Sequence, residues 1–349
     1  MTAGRAARRA RSELGRLRAR WSGADSGTAV PRFSSFSRTL APGRLSLDAG
    51  SVTALLYGRL EPGEAEAVEG LIREVPGAWE HYFGEATRIA DHDLLLALGV
   101  AFGSELLMER TGLVRAEPPE YVHSMTRGAQ NAAGGLYEAN LVIDALLSAG
   151  ADPALLRRAL DFGCSSGRVL RPLAAAYPDV EWKGCDPNGP AIEWASENLA
   201  GIGFFNSGPR PPLPVEEATL DLVYAISIWS HFHPSRGLDW FAEMHRMLRP
   251  GGHLVFTTHG FTSVAHYVTA GLRSEQQSHE ILDALYQQGW WYLGEFGAAG
   301  DWGVVDPDWG TAFVSPEWLL TQLLPDWRVL EYAAGRNQEN QDVFVLQRV

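Results

Sequence analysis

Apolar residues follow a helical spacing in the first part of the chain and a strand–helix alternation in the second. The segments with helical spacing are 51–60, 63–75, 86–110 and 136–150. Apolar positions three and four residues apart indicate amphipathic helices, so we predict an N-terminal helical extension over residues 46–150. Residues 1–45 are rich in Arg, Ser and Gly without a clear period, which predicts a poorly ordered arm.

From residue 157 onward, short apolar segments alternate with amphipathic ones. The strand-like segments are 158–163, 180–186, 201–206, 220–228 and 253–260. This alternation is typical of a parallel, doubly wound sheet. Segments 327–334 and 341–349 are joined by a polar loop without a helical crossover, which predicts an antiparallel pair at the sheet edge. Residues 151–349 should form this α/β domain, with an aromatic-rich insertion at about 262–315.

Composition narrows the class of protein. The 349 residues are 46% hydrophobic and 20% charged, as in soluble globular proteins. The sequence has no apolar run of the ~18 residues that a membrane span needs, and its start lacks the apolar core of a secretory signal. Two cysteines, Cys164 and Cys185, give no disulfide framework. We therefore expect a cytoplasmic protein.

Charge is unevenly distributed along the chain. The first twenty residues contain seven arginines and one acidic residue. Subtracting the +6 of this segment from the net charge of −13 leaves −19 on the rest. Such a balance argues against a nucleic-acid surface on the main body. The basic arm could touch an anionic membrane peripherally, bind nucleic acid, resemble a mitochondrial presequence, or be a solvated tail. The sequence leaves the oligomeric state open.

A glycine loop between the first strand and its helix reads Gly163-Cys164-Ser165-Ser166-Gly167. A dinucleotide fingerprint would need a glycine where Ser165 stands. A phosphate-binding loop would need a Gly-Lys-Ser/Thr ending, which is missing here. Both phosphate interpretations are weakened, and a nucleoside ligand with a zwitterionic tail remains.

Acidic and polar residues suit the parts of such a ligand. Asp161 could meet an ammonium group, and Ser166 or Arg168 a carboxylate. Asp186 lies nineteen residues beyond Gly167, at the end of the second strand, where an acid can bind a ribose diol. This position is shared with nucleotide-binding enzymes, so Asp186 alone does not discriminate between them.

Four segments resemble the class I S-adenosylmethionine-dependent methyltransferases. They are LDFGCSSGR, GCDPN, LDLVYAISIWSHF and LRPGGHLVFTTHG, in this order over about residues 155–260. The resemblance implies a seven-stranded Rossmann-like methyltransferase sheet and S-adenosyl-L-methionine as cofactor. FGCSSGRVLRPL, PPLP and AISIWSHF also resemble bacterial methyltransferases associated with cell-surface polysaccharide synthesis.

The resemblance implies which residues meet the cofactor. Residues of the glycine loop would line the methionine end, the end of the second strand would meet the ribose, and Asn206 would lie on the adenine side. Residues 227–229 would flank the sulfonium. The full set is Asp161, Gly163, Cys164, Ser165, Ser166, Gly167, Arg168, Asp186, Pro187, Asn188, Asn206, Ser227, Ile228 and Trp229.

Two histidines follow strands that should end at the substrate. His231 follows the fourth strand and His259 the fifth. Either has a suitable intrinsic pKa for a general base, although His231 could simply bond the backbone at a helix start. The sequence contains no H-x-x-x-H or C-x-x-C pattern, so we predict no metal site.

Aromatic and loop residues are candidates for substrate binding. Trp302 and Trp309 lie in the glycine- and acid-rich stretch GDWGVVDPDWG, where their indoles could stack on a substrate ring. Tyr121 and Arg127 lie in a polar loop before the core and could form another edge of the pocket, although for Arg127 a solvated loop arginine is the favoured interpretation.

These patterns predict a methyltransferase that acts on a hydroxyl of a sugar or polysaccharide precursor. A hydroxyl or amine of a small aromatic metabolite is the alternative within the same chemistry. A nicotinamide-dependent oxidoreductase and a non-catalytic protein that binds S-adenosylmethionine are alternatives from other classes.

Overall fold

The structure is a computed structural model that describes residues 51–296, 305–306 and 308–349. The predicted arm, residues 1–45, and Trp302 lie outside these ranges. None of the helices within them is both long and apolar enough to cross a bilayer.

In the part of the chain that the structure describes, six α-helices precede the first strand. They are α1 (Ser51–Tyr57), α2 (Glu64–Glu74), α3 (Ala78–Phe83), α4 (His92–Ala101), α5 (Glu105–Thr111) and α6 (Leu136–Ser148). The helical pattern over 86–110 splits into α4 and α5 because the chain turns at Gly103, which has a positive φ of 81°. The Ser104 hydroxyl then caps α5 by accepting a hydrogen bond from the Leu107 N–H.

A seven-stranded mixed sheet forms the centre of the molecule. Its strands are β1 (Arg158–Phe162), β2 (Glu181–Asp186), β3 (Gly203–Asn206), β4 (Leu220–Ala225), β5 (Leu248–Thr258), β8 (Trp327–Asn337) and β9 (Gln341–Arg348). The order is β3-β2-β1-β4-β5-β9-β8. The first five strands run parallel, whereas β9 pairs antiparallel with both β5 and β8. The predicted doubly wound sheet with an antiparallel edge pair is confirmed.

Six further α-helices and a small second sheet follow β1 among the described residues. The helices are α7 (Leu170–Ala176), α8 (Gly189–Asn198), α9 (Pro234–Met247), α10 (Phe261–Thr269), α11 (Glu275–Gln287) and α12 (Pro316–Leu323). Strands β6 (Trp290–Leu293) and β7 (Thr311–Val314) pair antiparallel outside the main sheet. Residues between β5 and β8 thus form a helical and β-hairpin layer beside the carboxyl ends of the parallel strands.

Alternate residues of each strand face two different cores. Ala159 and Tyr224 pack with the N-terminal helices, whereas Leu160 and Phe162 pack with residues of α9 and α12. This period of two is expected when both faces of a sheet are covered. The N-terminal extension therefore shares a hydrophobic core with one face of the sheet.

A half-buried arginine also joins the extension to the core. Nη1 of Arg59, just beyond α1, donates 2.8 Å hydrogen bonds to the carbonyls of Thr111 and Ala175, and Nη2 donates one to the carbonyl of Ala176. These bonds satisfy carbonyls at the ends of α5 and α7, which have no partner within their own helices.

Candidate active site

A cavity of about 540 Å³ opens at the carboxyl ends of β1, β2, β4 and β5. This is the edge at which open α/β sheets bind their ligands, and the volume is within the range of small-molecule sites. Loop residues His123 and Met125 and the α6 residue Glu138 contribute to its wall. The N-terminal extension is thus part of the cavity, and the loop that contains Tyr121 and Arg127 contributes His123 and Met125 to the wall instead of those two residues.

The turn after β1 requires glycine at two positions. Gly163 and Gly167 have positive φ values of 88° and 74°. A Cβ atom on Gly163 would lie 2.1 Å from Cδ1 of Ile228, and one on Gly167 would lie 2.6 Å from Cδ1 of Leu199. Both separations are too short for a side chain, so these glycines allow the loop to pack tightly between its neighbours.

Ser165 adopts the conformation that a middle glycine would favour. Its φ is 48°, in the left-handed region, and its N–H donates a 2.8 Å hydrogen bond to Oδ2 of Asp186. Its hydroxyl lies 3.4 Å from the carbonyl oxygen of His123. The serine therefore preserves the turn while linking it to β2 and to the N-terminal loop. The neighbouring Ser166 is buried and also lines the cavity.

Asp161 is a buried carboxyl group at the cavity floor. It is 3% exposed, and its Oδ2 accepts a 3.0 Å hydrogen bond from the Tyr224 hydroxyl. Burial raises the pKa of Asp161 to about 8 because desolvation penalises the charged form. Burial likewise raises the pKa of the Cys164 and Cys185 thiols, so neither is an activated thiolate.

Asp186 is held by two backbone donors at the end of β2. Its Oδ1 accepts from the Asn188 N–H, and its Oδ2 from the Ser165 N–H, both at 2.8 Å. Burial nevertheless raises the pKa of Asp186. Each carboxylate oxygen retains a second lone pair that can accept a ligand hydroxyl. Pro187 lines the cavity, whereas Asn188 caps α8 by accepting from the Ala191 N–H.

Arg168 reaches the cavity wall as one member of an ion pair. Its Nη1 lies 2.6 Å from Oε2 of Glu138, and both side chains are nearly buried. Among the described residues that line the cavity, Arg168 is the only arginine or lysine. The pairing orients its guanidinium and reduces the positive charge that it offers to a ligand.

Four of the predicted cofactor residues are not part of the cavity wall, namely Gly167, Asn188, Asn206 and Trp229. Asn206 is exposed at the end of β3, and the next residues, Ser207–Pro209, form the wall instead. The Trp229 indole stacks on Phe241 with ring centroids 4.5 Å apart and belongs to the core. Ser227 and Ile228, in contrast, both line the cavity.

The two candidate histidines lie on the same cavity but differ in their bonding. His231 Nδ1 is 2.9 Å from the Gly310 carbonyl, so this nitrogen carries the proton and Nε2 is the basic atom. His259 Nδ1 likewise donates to the Ala312 carbonyl at 3.2 Å, and its Nε2 accepts from the Tyr267 hydroxyl at 3.3 Å. Burial lowers the pKa of His259 to about 3, so this ring is neutral.

Gln341 connects three strand ends beneath the histidines. Its Nε2 donates to Oγ of Ser227 at 2.6 Å and lies 3.3 Å from Nε2 of His259. Its Oε1 accepts from the Thr257 hydroxyl at 2.6 Å and from Nδ2 of Asn337 at 3.0 Å. The amide oxygen thus uses both acceptor positions, and the amide nitrogen donates one hydrogen to Ser227. Sequence reasoning missed Gln341 and Tyr267, whose only signal was a polar residue near a strand or helix end.

The predicted substrate residues are divided between wall and surface. The Trp309 indole is buried, lines the cavity and stacks on His231. Tyr121 is 84% exposed and lies outside the wall. Arg127 donates to the carbonyls of Pro118, Pro119 and Val122 and so holds its own loop together.

The part of the chain that the structure describes contains no group of three or more His, Cys, Asp or Glu residues that could hold a metal ion.

Comparison with known proteins identifies the domain that surrounds the glycine loop. Residues 159–252 match a family described as a methyltransferase domain. A malonyl-[acyl-carrier protein] O-methyltransferase of Hahella chejuensis is 32% identical over 102 residues, which are 28% of this chain and 35% of that protein. A fatty-acid O-methyltransferase of Mycolicibacterium smegmatis is 30% identical over 103 residues, 29% of this chain and 36% of the relative. The chain thus spans about a third of the length of these curated relatives.

Solved structures similar to this chain include other methyltransferases. An S-adenosylmethionine-dependent methyltransferase from Mesorhizobium loti has 15% identity and a TM-score of 0.40, covering 59% of this chain and 96% of that structure. An amino pentose methyltransferase from Micromonospora echinaspora has 18% identity and a TM-score of 0.39, covering 61% and 91%. From the family match and the strand order, residues 159–252 form a methyltransferase domain of the class I, S-adenosylmethionine-dependent kind.

Proposed function

We propose that this chain binds S-adenosylmethionine at the glycine loop and transfers its methyl group to a hydroxyl oxygen of a small, uncharged acceptor. The observation that carries the proposal is a continuous cavity lined by Asp161 and Asp186 at the loop and by His231 and Trp309 beyond it. A cofactor and an acceptor held in one cavity can be aligned for transfer, and alignment supplies much of the rate enhancement of a displacement reaction.

Residues on the β1–β2 side would hold the cofactor. Asp186 has acceptor positions for the ribose diol, and Asp161 can face the ammonium of the methionine tail. Arg168, already oriented by Glu138, is the cation nearest to the proposed position of the tail carboxylate. When bound, S-adenosylmethionine supplies a methyl group activated by its sulfonium.

His231 is proposed as the general base. Its Nδ1–H donates to the Gly310 carbonyl, which fixes the tautomer that leaves the lone pair on Nε2. The stacked Trp309 ring holds the plane of the imidazole. His259 is proposed as a fixed hydrogen-bond acceptor instead, because its pKa of about 3 makes it a weak base and its Nε2 accepts from Tyr267.

The charge of the wall supports an uncharged acceptor. Arg168 is the only arginine or lysine of the described wall and is proposed to meet the cofactor tail, so a buried carboxylate or phosphate on the acceptor would have no arginine or lysine of its own as a counter-charge. Within this class we propose a hydroxyl of a sugar or polysaccharide precursor, with a small aromatic metabolite as the alternative. The acyl acceptors named for the two curated relatives belong in the same test.

Isothermal titration with S-adenosylmethionine, S-adenosylhomocysteine and NADH tests the cofactor assignment. Both adenosyl compounds should bind, and Asp186→Ala should weaken them by at least about tenfold because a charge-assisted bond is lost. Glu193→Ala, an exposed acid on α8, serves as the matched control. Binding of NADH alone would overturn the proposal in favour of an oxidoreductase. Radiolabelled methyl transfer to an acceptor panel then separates an enzyme from a protein that only binds the cofactor.

A further inference from the structure

The tip of the β8–β9 hairpin presents uncharged amide side chains to the cavity. Gln338 and Glu339 have positive φ values of 57° and 54°, and the Asn340 N–H donates a 3.0 Å hydrogen bond to the Asn337 carbonyl. Positive φ at both central residues is the pattern of a tight two-residue hairpin turn. Four amide residues around this turn line the cavity, namely Asn337, Gln338, Asn340 and Gln341.

Two amide oxygens at this tip lack a donor. Within the described residues, Oδ1 of Asn337 and Oδ1 of Asn340 are buried without a hydrogen-bond partner. Asn337 is 8% exposed, and its Nδ2 donates to Gln341, which determines that the other atom of the amide is the oxygen. Buried carbonyl oxygens without a donor are uncommon in native proteins. Their position on a cavity wall suits a ligand that brings hydrogen-bond donors.

The remaining described wall on this side is aromatic and offers no unpaired cation. Trp309 and Tyr267 both contribute to it, and the Trp309 indole is stacked on His231. The Trp309 Nε1 is a further buried donor without a partner in the described structure. Residues 297–304, GAAGDWGV, contain no Arg, Lys or His in the sequence. Aromatic faces combined with neutral amides fit a ring that carries hydroxyl groups and no charge.

We propose that the hairpin tip, residues 337–341, is the recognition site for the hydroxyl groups of an uncharged polyhydroxylated ring, such as a neutral sugar. This inference rests on the proposed methyl transfer and adds the residues that select the acceptor. Asn337 and Asn340 accept hydrogen bonds from ring hydroxyls, while the hydrogen bond from Gln341 to Ser227 positions the hairpin tip. Trp309 and Tyr267 enclose the apolar faces of the ring.

The test measures acceptor binding and turnover with the full chain. Saturation-transfer NMR would be recorded on the S-adenosylhomocysteine complex with methyl glycosides of common hexoses, pentoses and 6-deoxyhexoses. Methyl transfer would be measured with the same glycosides and with glucuronic acid, glucose 6-phosphate, methyl 4-hydroxybenzoate and decanoic acid. We expect binding and methylation of at least one neutral glycoside, with its charged counterparts at least about tenfold less efficient.

Variants at the tip identify the recognition site. Asn340→Ala and Asn337→Ala should each raise the KM or Kd for the accepted glycoside about tenfold, with the Kd for S-adenosylhomocysteine unchanged. Glu339→Asn is the matched control, because it changes the same turn outside the cavity wall and asparagine tolerates positive φ. Thermal unfolding of each variant with and without S-adenosylhomocysteine checks that it is folded.

The outcomes separate this inference from the proposed function. If the wild-type chain does not bind S-adenosylmethionine, the proposed function itself is overturned. Retained cofactor binding with no glycoside bound, or methylation of only the phenol or the fatty acid, would overturn the hairpin assignment alone. The hairpin assignment is also overturned if the KM and Kd for the glycoside are unchanged in both asparagine variants.

Discussion

The imidazole of His231 lies nearly parallel to the indole of Trp309, with ring centroids 4.8 Å apart and an angle of 14° between the rings. Together with the hydrogen bond from His231 Nδ1 to the Gly310 carbonyl, this stacking fixes both the plane and the tautomer of the imidazole. A residue in this arrangement can accept a proton at a defined position without first reorganising.

Replacement of His231 should therefore affect turnover far more than cofactor binding. We expect His231→Gln to lower kcat by roughly 10²- to 10⁴-fold, the usual contribution of a general base, with the Kd for S-adenosylmethionine within twofold of the wild type (about 0.4 kcal/mol). Single-turnover methyl transfer and titration calorimetry measure the two quantities. The exposed His279→Gln on α11 is the control. An unchanged kcat in His231→Gln would exclude it as the base.

The pKa of Asp161 predicts a stability that decreases with pH. Because burial raises this pKa to about 8, the folded chain keeps a proton on Asp161 over a range in which the unfolded chain releases it. Folding stability should fall as pH rises from about 4 to 8, by up to ~1.4 kcal/mol per pH unit from this group. Asp161→Asn removes the titration, so its melting temperature should exceed that of the wild type at pH 8 and approach it at pH 4–5.

Asp342 also has a raised pKa, of about 7, so the wild-type profile contains more than one titrating group. The difference between Asp161→Asn and the wild type isolates the Asp161 contribution. Asp161→Asn should bind S-adenosylmethionine more weakly despite its higher stability at pH 8, because the ammonium loses a carboxylate partner. A variant that is destabilised equally at pH 5 and pH 8 would contradict the assignment of this titration.

Alanine substitutions at two glycines with positive φ distinguish the cost of backbone strain from the cost of steric overlap. Gly163 and Gly201 have φ values of 88° and 82°, but a Cβ atom would collide with Ile228 at Gly163 and meet nothing within 4 Å at Gly201. We expect Gly201→Ala to cost about 1–2 kcal/mol of unfolding free energy from strain alone. Gly163→Ala should cost about 1–3 kcal/mol more and also weaken cofactor binding. Urea denaturation and calorimetry would show the difference, and equal costs would contradict the packing argument.

Arg236 anchors the segment around Trp309 through a buried ion pair with Asp306. Their side chains are 4% and 8% exposed. Arg236→Met leaves Asp306 without its counter-charge, and we expect about 3–5 kcal/mol of destabilisation. Arg210→Met removes an exposed partner of Asp308 and should cost about 0–1 kcal/mol. Chemical denaturation measures both, and partial recovery in Arg236→Met/Asp306→Asn would show that the unpaired charge causes the loss.

Local features of the site could be predicted from the sequence. The glycine loop and Asp186 occupy strand ends, and the strand–helix alternation determines where strands end. Ser165 takes a left-handed conformation that serine can adopt, so the departure from glycine left the turn intact. The sequence did not predict which residue at the end of β3 reaches the cavity. Asn206 is exposed to solvent, whereas the next residue, Ser207, lines the cavity wall.

Long-range packing explains what could not be predicted. Glu138 approaches the glycine loop only because the N-terminal helices cover one face of the sheet. His231 and His259 are both buried, and the Nδ1 atom of each donates to a carbonyl more than fifty residues away in the chain, so the tautomer of each ring could not be predicted from the sequence. The charge of Arg127 is compatible both with binding a ligand and with bonding its own loop, so the sequence does not distinguish these two roles. The folded structure shows that Arg127 bonds its own loop.

The order in which cavity residues occur along the chain has an evolutionary consequence. From β1 onward, the wall residues proposed for the cofactor, up to Ile228, precede in the sequence those proposed for the acceptor, from His231 onward. One recombination junction between these two positions would exchange the acceptor-selecting half and keep the adenosyl-binding half. New specificities could then arise by inheritance of a single contiguous gene segment, without simultaneous change in the part that recognises the methyl donor.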